Sequence, residues 1–314
     1  RSRWLLGPLV KAPKSVGRPL RRLAVALVRA GRRDQWTRRL FFGLRTVEHR
    51  RGARLARRAA GGGSAVVLAF HAVSDLASDP VLAEYGLPPE RLAAHLDALA
   101  QRGWRFVDLD TVLAALDGRG RLPERALLVT FDDCYVDLLS DGAPVLAERG
   151  IPAVAYAVAG LTGATNEWDR PLGARELRLL DAEGLRALAA AGVEVGSHGM
   201  NHRQLTKLDL AEAAGEVADS AAALEGLGLP RPRAFSYPHG EWNREIADAV
   251  AASGYRAAFT VSPGVVERSC NPFSLPRVEV LASDTPARLR LKIATAGWPA
   301  RRRRRLLRLT RTRE

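Results

Sequence analysis

The chain has 314 residues, 47% of them hydrophobic, and 48 Lys+Arg against 34 Asp+Glu give it a formal net charge of +14. That apolar content excludes a disordered chain, and the length suits one large α/β unit or two modest domains. Two cysteines, Cys134 and Cys270, exclude a disulfide-stapled scaffold and a cysteine zinc cluster.

The charge is unevenly placed. Residues 1–63 carry a net +16, residues 64–287 a net −12, and residues 288–314 a net +10. The sequence therefore divides into a basic, partly helical N-terminal extension (1–63), an acidic body (64–287) and a basic C-terminal tail (288–314). In the first part, Arg21, Arg22, Arg32 and Arg33 flank the short apolar groups 23–28 and 40–42. Such a mixture forms basic amphipathic helices on an anionic membrane surface, and the arginines at 301–305 followed by Leu306 and Leu307 repeat it. Solvated arginine-rich ends without a partner are the competing reading. Neither end has a helix-turn-helix pattern, zinc-finger spacing or interleaved aromatics, so no nucleic acid is expected. No apolar run approaches the roughly 20 residues that span a bilayer. The group 23–28 is also shorter than the ~7–15-residue core of a signal peptide. A cytoplasmic or peripheral membrane location is the expectation, with an extracytoplasmic one if residues upstream of Arg1 are missing.

After Gly61, Gly62 and Gly63 the pattern becomes strand and helix in alternation. Residues 65–70 (AVVLAF) are a continuous apolar run, the mark of a strand buried on both faces. Residues 88–102 predict a helix with Leu92, Leu96 and Leu99 on one stripe and Gly103 as its stop. Further buried strands are predicted at 126–131, 153–159, 193–197, 234–237, 257–261 and 278–281. Between them, Asp181 caps a helix containing Leu185 and Leu188, Asp209 with Glu212 opens another as a capping box, and 243–253 forms a third. Repeated β-α units imply a parallel sheet with helices outside. A (β/α) barrel accommodates seven or eight strands and puts chemistry at their C-terminal ends.

The polar residues fall at those ends. The strand 65–70 runs into His71, 126–131 into Asp132 and Asp133, 193–197 into His198 with His202 four residues on, and 234–237 into Pro238 and His239. Two carboxylates and four of the six histidines thus gather at one rim. A carboxylate with two imidazoles suits a divalent ion that keeps positions for water and substrate. The His198–His202 spacing lets both rings face one point from a helix or a tight turn. One aspartate of the pair can ligate while the other acts as a base. His95, between Leu92 and Leu96, reads as structural, and His49 as solvated.

Thr130-Phe131-Asp132-Asp133, then Ser197-His198 with His202, then Tyr237-Pro238-His239-Gly240 resemble in order three motifs of the polysaccharide deacetylases, the fourth carbohydrate esterase family. The likeness covers roughly residues 65–282. It implies a distorted (β/α)7 barrel with basic N- and C-terminal extensions, and removal of N-acetyl groups from amino sugars of a glycan. It assigns the base to Asp132 and the metal, zinc first among divalent ions, to Asp133, His198 and His202. It also implies an oxyanion held by a backbone N–H near Tyr135.

Four positions depart from the common pattern. Cys134 stands where the family has Gly, and Ser236 where many members have an Arg that orients the base, for which Arg277 is the candidate substitute. His239 occupies a position that is often Tyr. No histidine follows His239, so the usual C-terminal general acid is missing. In a subgroup that includes poly-N-acetylglucosamine deacetylases, a circular permutation brings that histidine first, and Leu68-Ala69-Phe70-His71 resembles its segment. His71 is then the candidate acid and His239 the alternative. Pro238, Trp168, Asp169 and Trp242 are candidates for the substrate cleft. The rival reading is a non-catalytic barrel that binds a membrane surface or partner, with Cys134 and Ser236 as marks of lost activity.

Overall fold

Strand β1 (Ser64–Phe70) is buried along its whole length, as its unbroken apolar sequence requires. It opens a computed structural model that describes residues 63–311; the amphipathic segments expected in 1–62, and His49, lie outside the described residues. The chain continues through α1 (Pro89–Ala100), β2 (Arg105–Phe106), α2 (Leu109–Leu116) and β3 (Ala126–Asp133). Short α3 (Ala143–Ala147) leads to β4 (Ala153–Ala157), then come α4 (Ala182–Ala190) and β5 (Val193–Ser197). Next are α5 (Leu210–Gly226), β6 (Ala234–Ser236), α6 (Arg244–Ala252) and β7 (Ala257–Phe259). The two-residue strands β8 (Val266–Glu267) and β9 (Val278–Glu279) precede α7 (Pro286–Ala294) and α8 (Ala300–Arg311).

The sheet runs β7-β6-β5-β4-β3-β1-β8, with β2 added to β3 and β9 to β1. Its pairs are parallel except β1 with β8, where Ser64 faces Glu267. Beyond the far edge, Phe259 bridges to Leu275, and three and four residues later Val278 and Glu279 pair with Leu68 and Ala69 of β1. The stretch 275–279 therefore ties β7 loosely back to β1 and curls the sheet into a distorted (β/α) barrel.

Alternation along β1 sorts its side chains between two cores. Val66, Leu68 and Phe70 pack outward with Leu92, Leu96 and Leu99 of α1, while Ala65 and Val67 join Tyr156 and Phe259 inside. Each fully buried leucine contributes about 1.5–3 kcal/mol. The helix starts follow the sequence signals: Asp181 accepts from the Gly184 amide at 2.8 Å, Asp209 from Glu212 at 2.8 Å and Asn243 from Ile246 at 2.9 Å.

The basic residues from 288 onward start within a helix. Helix α7 runs through that position and buries Leu289 and Ile293 in the same core as α1. Arg288 lies 2.9 Å from the fully buried Asp284, and Lys292 pairs with it too, so two of the tail's cations neutralise an interior acid. That compensation explains how a stretch of basic composition docks on the barrel.

Candidate active site

Register assembles the rim. Phe70 pairs with Phe131, Asp133 with Ala157, Ala157 with Ser197, and Ser197 with Phe235. The residues that follow these positions, His71, Asp132 and Asp133, His198, and Ser236 to His239, therefore emerge at one end of the sheet. Backbone strain accompanies them: Asp133, Cys134, His202 and His239 all have positive φ, at 71°, 57°, 55° and 59°. Non-glycine residues in that region cost of order 1 kcal/mol or more each, and they concentrate where side-chain aim matters. Cys134, buried in the position the family gives to Gly, takes up this left-handed turn.

Asp133 Oδ1 lies 3.6 Å from His198 Nε2 and 3.5 Å from His202 Nε2, and all three side chains are buried. Asp133 Oδ1 accepts no hydrogen bond. In a tetrahedral zinc site with bonds of roughly 2.0–2.1 Å, ligand atoms sit about 3.3–3.4 Å apart, so this trio fits one divalent ion. Protonation agrees. Burial pushes His198 down to about 4 and His202 well below its ordinary value, leaving both as neutral donors. His198 Nδ1–H donates to the Ser236 carbonyl at 2.7 Å, which leaves Nε2 with its lone pair toward Asp133. Burial, then the charges of Asp132 and Asp169, push Asp133 well up, while a hydrogen bond with Tyr135 opposes them.

The His198–His202 segment is a turn, not a helix. Buried Glu216 of α5 holds it by accepting from the Met200 amide at 3.1 Å, the Asn201 amide at 2.8 Å and Asn201 Nδ2 at 2.8 Å. Gly160, from the loop after β4, donates to the Met200 carbonyl at 2.8 Å. A Cβ there would fall 2.7 Å from that oxygen. Glu216 and Gly160 were not among the sequence candidates. The signal for Glu216 was available: it sits on the apolar stripe of Ala213, Val217 and Leu224.

Asp132 has a different setting. Arg277, with no solvent exposure, donates from Nη1 to Oδ1 at 2.7 Å and from Nη2 to Oδ2 at 2.6 Å. Arg277 Nη2 also donates to Ser236 Oγ at 2.8 Å, and that hydroxyl reaches Asp132 Oδ2 at 3.3 Å. Thr130 Oγ1 and the Thr260 carbonyl accept from the rest of the guanidinium at 3.1 and 3.0 Å. Burial raises Asp132, but the charges of Arg277 and His198 outweigh it and hold the carboxyl far below the usual range. Arg277 thus reaches Asp132 from the segment that curls the barrel, and Ser236 belongs to the same network.

The other candidates line the rim. His71 is half-buried, set edge-on to Tyr85 with ring centroids 4.8 Å apart. Burial lowers its affinity for a proton, and Asp132 partly restores it. Trp168 stacks on His202 at 4.1 Å, and exposed His239 meets the same ring edge-on at 4.7 Å. Asp169 accepts from Asn166 Nδ2 at 3.1 Å, and burial raises its pKa. The Tyr135 ring is buried in the loop cluster with Leu76 and Val158, and Pro238 is buried beside His239. Trp242 is exposed and stacks with Tyr237 at 6.5 Å. His95 lies away from this group, in the interior under α1.

Comparison with known proteins agrees with this geometry. Residues 119–258 match the family model described as polysaccharide deacetylase. YxkH of Bacillus subtilis (strain 168) is 26% identical over 68% of this chain and 70% of its own. The poly-β-1,6-N-acetyl-D-glucosamine N-deacetylase of Staphylococcus epidermidis is 23% identical over 66% of this chain and 72% of its own. Among solved structures, IcaB from Ammonifex degensii superposes with a TM-score of 0.63 and 26% identity, over 74% of this chain and 97% of that one. Sequence match, fold and the Asp/His/His cluster converge on one likeness, to the polysaccharide deacetylases.

Proposed function

We propose that the protein hydrolyses N-acetyl groups of amino sugars in a polysaccharide or glycoconjugate, using one divalent ion held by Asp133, His198 and His202. The observation that carries this reading is the contrast between two adjacent carboxylates: Asp132 is locked to Arg277, while Asp133 turns a bare oxygen toward two neutral imidazoles. An ion bound there would supply Lewis-acid polarisation of the amide carbonyl and a lowered pKa for the attacking water. Two imidazoles and one carboxylate with positions to spare favour zinc, and the same donors accept other first-row divalent ions.

Asp132 is the base in this scheme. Its Oδ2 faces Arg277 Nη2 and Ser236 Oγ, whereas Oδ1 meets only Arg277 Nη1 among the side chains named. A carboxylate oxygen has two lone pairs, so Oδ1 keeps one to take a proton from water. Arg277 keeps the group ionised and fixes its aim, at the cost of basicity. As the C–N bond breaks, the nitrogen must be protonated, because an amide anion is a poor leaving group. His71, on the strand beside Asp132, is assigned that step, with His239 across the rim as the alternative. A backbone N–H at Tyr135 is assigned to the oxyanion, and Trp168, Asp169, Pro238 and Trp242 to the cleft.

The rival reading, a barrel without turnover, leaned on Cys134 and Ser236. Ser236 completes the Arg277 network and Cys134 occupies the expected turn, so neither position speaks against turnover. The named substrate of the S. epidermidis relative makes N-acetylglucosamine polymers the first compounds to test. Acetate release from N-acetylglucosamine oligomers, lost with chelator and restored by Zn²⁺, is the expected result. An inert metal-loaded protein across a broad panel of N-acyl glycans would overturn the reading.

A further inference from the structure

The C-terminal helix α8 is the part of the described molecule that neither the core nor the site uses. Five consecutive arginines, 301–305, occupy its first turn and a half. Arg303 faces the body and donates to the Pro263 carbonyl at 3.3 Å, and Arg302 lies over the Trp298 ring at 4.5 Å. Arg301, Arg302, Arg304 and Arg305 are exposed. Like charges at i and i+4 repel, and cations at a helix N-terminus oppose the macrodipole, so the arrangement is unfavourable by itself. Among the described residues, none of the ion pairs within 4.0 Å relieves it. Placing this charge on a helix fits a surface that supplies the anions.

The position of the helix points the same way. A Cβ placed on Gly297, just before α8, would meet the Val265 side chain at 3.9 Å, and Val266 pairs with Ala65 at the start of β1. The root of α8 therefore lies at the N-terminal ends of the strands, whereas His71, Asp132 and His198 follow their C-terminal ends. The seven residues of β1 separate these levels by about 20 Å at roughly 3.3 Å per residue. Residue 64, where the basic extension joins the body, is at the same end as the root of α8.

We infer that α8 docks the enzyme on an anionic lipid surface, with the catalytic rim left clear of it. Lipid fits better than another polyanion because Trp298 beneath Arg302 and half-buried Leu306 in the following turn combine an interfacial aromatic, cations and apolar groups. The sequence 297–307 carries Trp298 alone and so lacks interleaved aromatics for stacking bases.

The test uses the full chain and sedimentation with phosphatidylglycerol-containing vesicles at low and physiological salt. Wild type should bind these vesicles, release them as salt rises, and ignore pure phosphatidylcholine. The variant Arg301→Glu, Arg302→Glu, Arg304→Glu, Arg305→Glu should bind at least about tenfold more weakly, with unchanged melting temperature and acetate release. The same four positions changed to Lys should bind like wild type. Hydrogen exchange on the vesicles should slow in 299–307 and stay unchanged in 165–175 and 238–243. Undiminished binding by the Glu variant, protection at the rim loops instead, or tighter binding to duplex DNA than to vesicles at equal salt would each overturn the inference.

Discussion

Asp132 and Asp133 are neighbours at the end of one strand, both buried, and the protein treats their charges in opposite ways. Around Asp132 it supplies a full counter-charge: Arg277 grips both oxygens, and Ser236, Thr130 and the Thr260 carbonyl hold the guanidinium. Around Asp133 it supplies two neutral imidazoles and leaves one oxygen without a hydrogen bond. The first pocket is complete without a ligand, and the second is complete only with a cation. A strand cannot present two adjacent side chains to one face, and the left-handed turn at Asp133 and Cys134 is what brings both to the rim.

Separating the two carboxylates by mutation gives the largest expected effect. Asp132→Asn should lower turnover by about 10²–10⁴-fold while keeping the metal, read by acetate release and metal analysis on the same sample. Wild-type turnover in that variant would remove the base from Asp132. Next, Arg277→Met strips the counter-charge from Asp132 and should cost about 3–5 kcal/mol in denaturant unfolding, as expected for a broken buried pair. A loss below 1 kcal/mol would mean the pair is not formed.

The histidines give a smaller, pH-dependent effect. Below its ordinary 6.5 the unfolded chain protonates His198, whereas the folded protein refuses that proton until about 4. The contribution of His198 to the stability of the metal-free protein, read as the difference between wild type and His198→Gln, should therefore fall by about 1–3 kcal/mol as pH drops from 6.5 to 4. His71, His95 and His202 shift in the same direction. A wild-type advantage over His198→Gln that grows as pH drops across that window would contradict a buried neutral imidazole at His198. The smallest effect concerns His202, whose Nδ1 has no hydrogen-bond partner and whose ring is held by Trp168. Trp168→Ala should weaken metal binding about tenfold, measured by competition with a chromophoric chelator.

Much of this was legible in the sequence. Apolar runs located β1, β3 and β4, because strands buried on both faces leave little room for polar residues, and the strand ends gave the Asp/His/His cluster. Interior details were less legible. The bond between Arg277 and Asp132 spans 145 positions and depends on how 275–279 ties the sheet back to β1, which no local pattern encodes. Glu216 stands on the apolar stripe of its helix, which signals burial but not the turn that it holds. The boundary at 288 followed charge, yet Arg288 and Lys292 answer a buried aspartate whose burial a composition count does not register.

The central claim, that Asp133, His198 and His202 leave a place for a cation beside an already neutralised Asp132, is tested most directly by calorimetric titration of metal-free protein with Zn²⁺. The account predicts one equivalent bound, with binding abolished in Asp133→Ala and retained in Asp132→Asn. Undiminished binding in Asp133→Ala would contradict it.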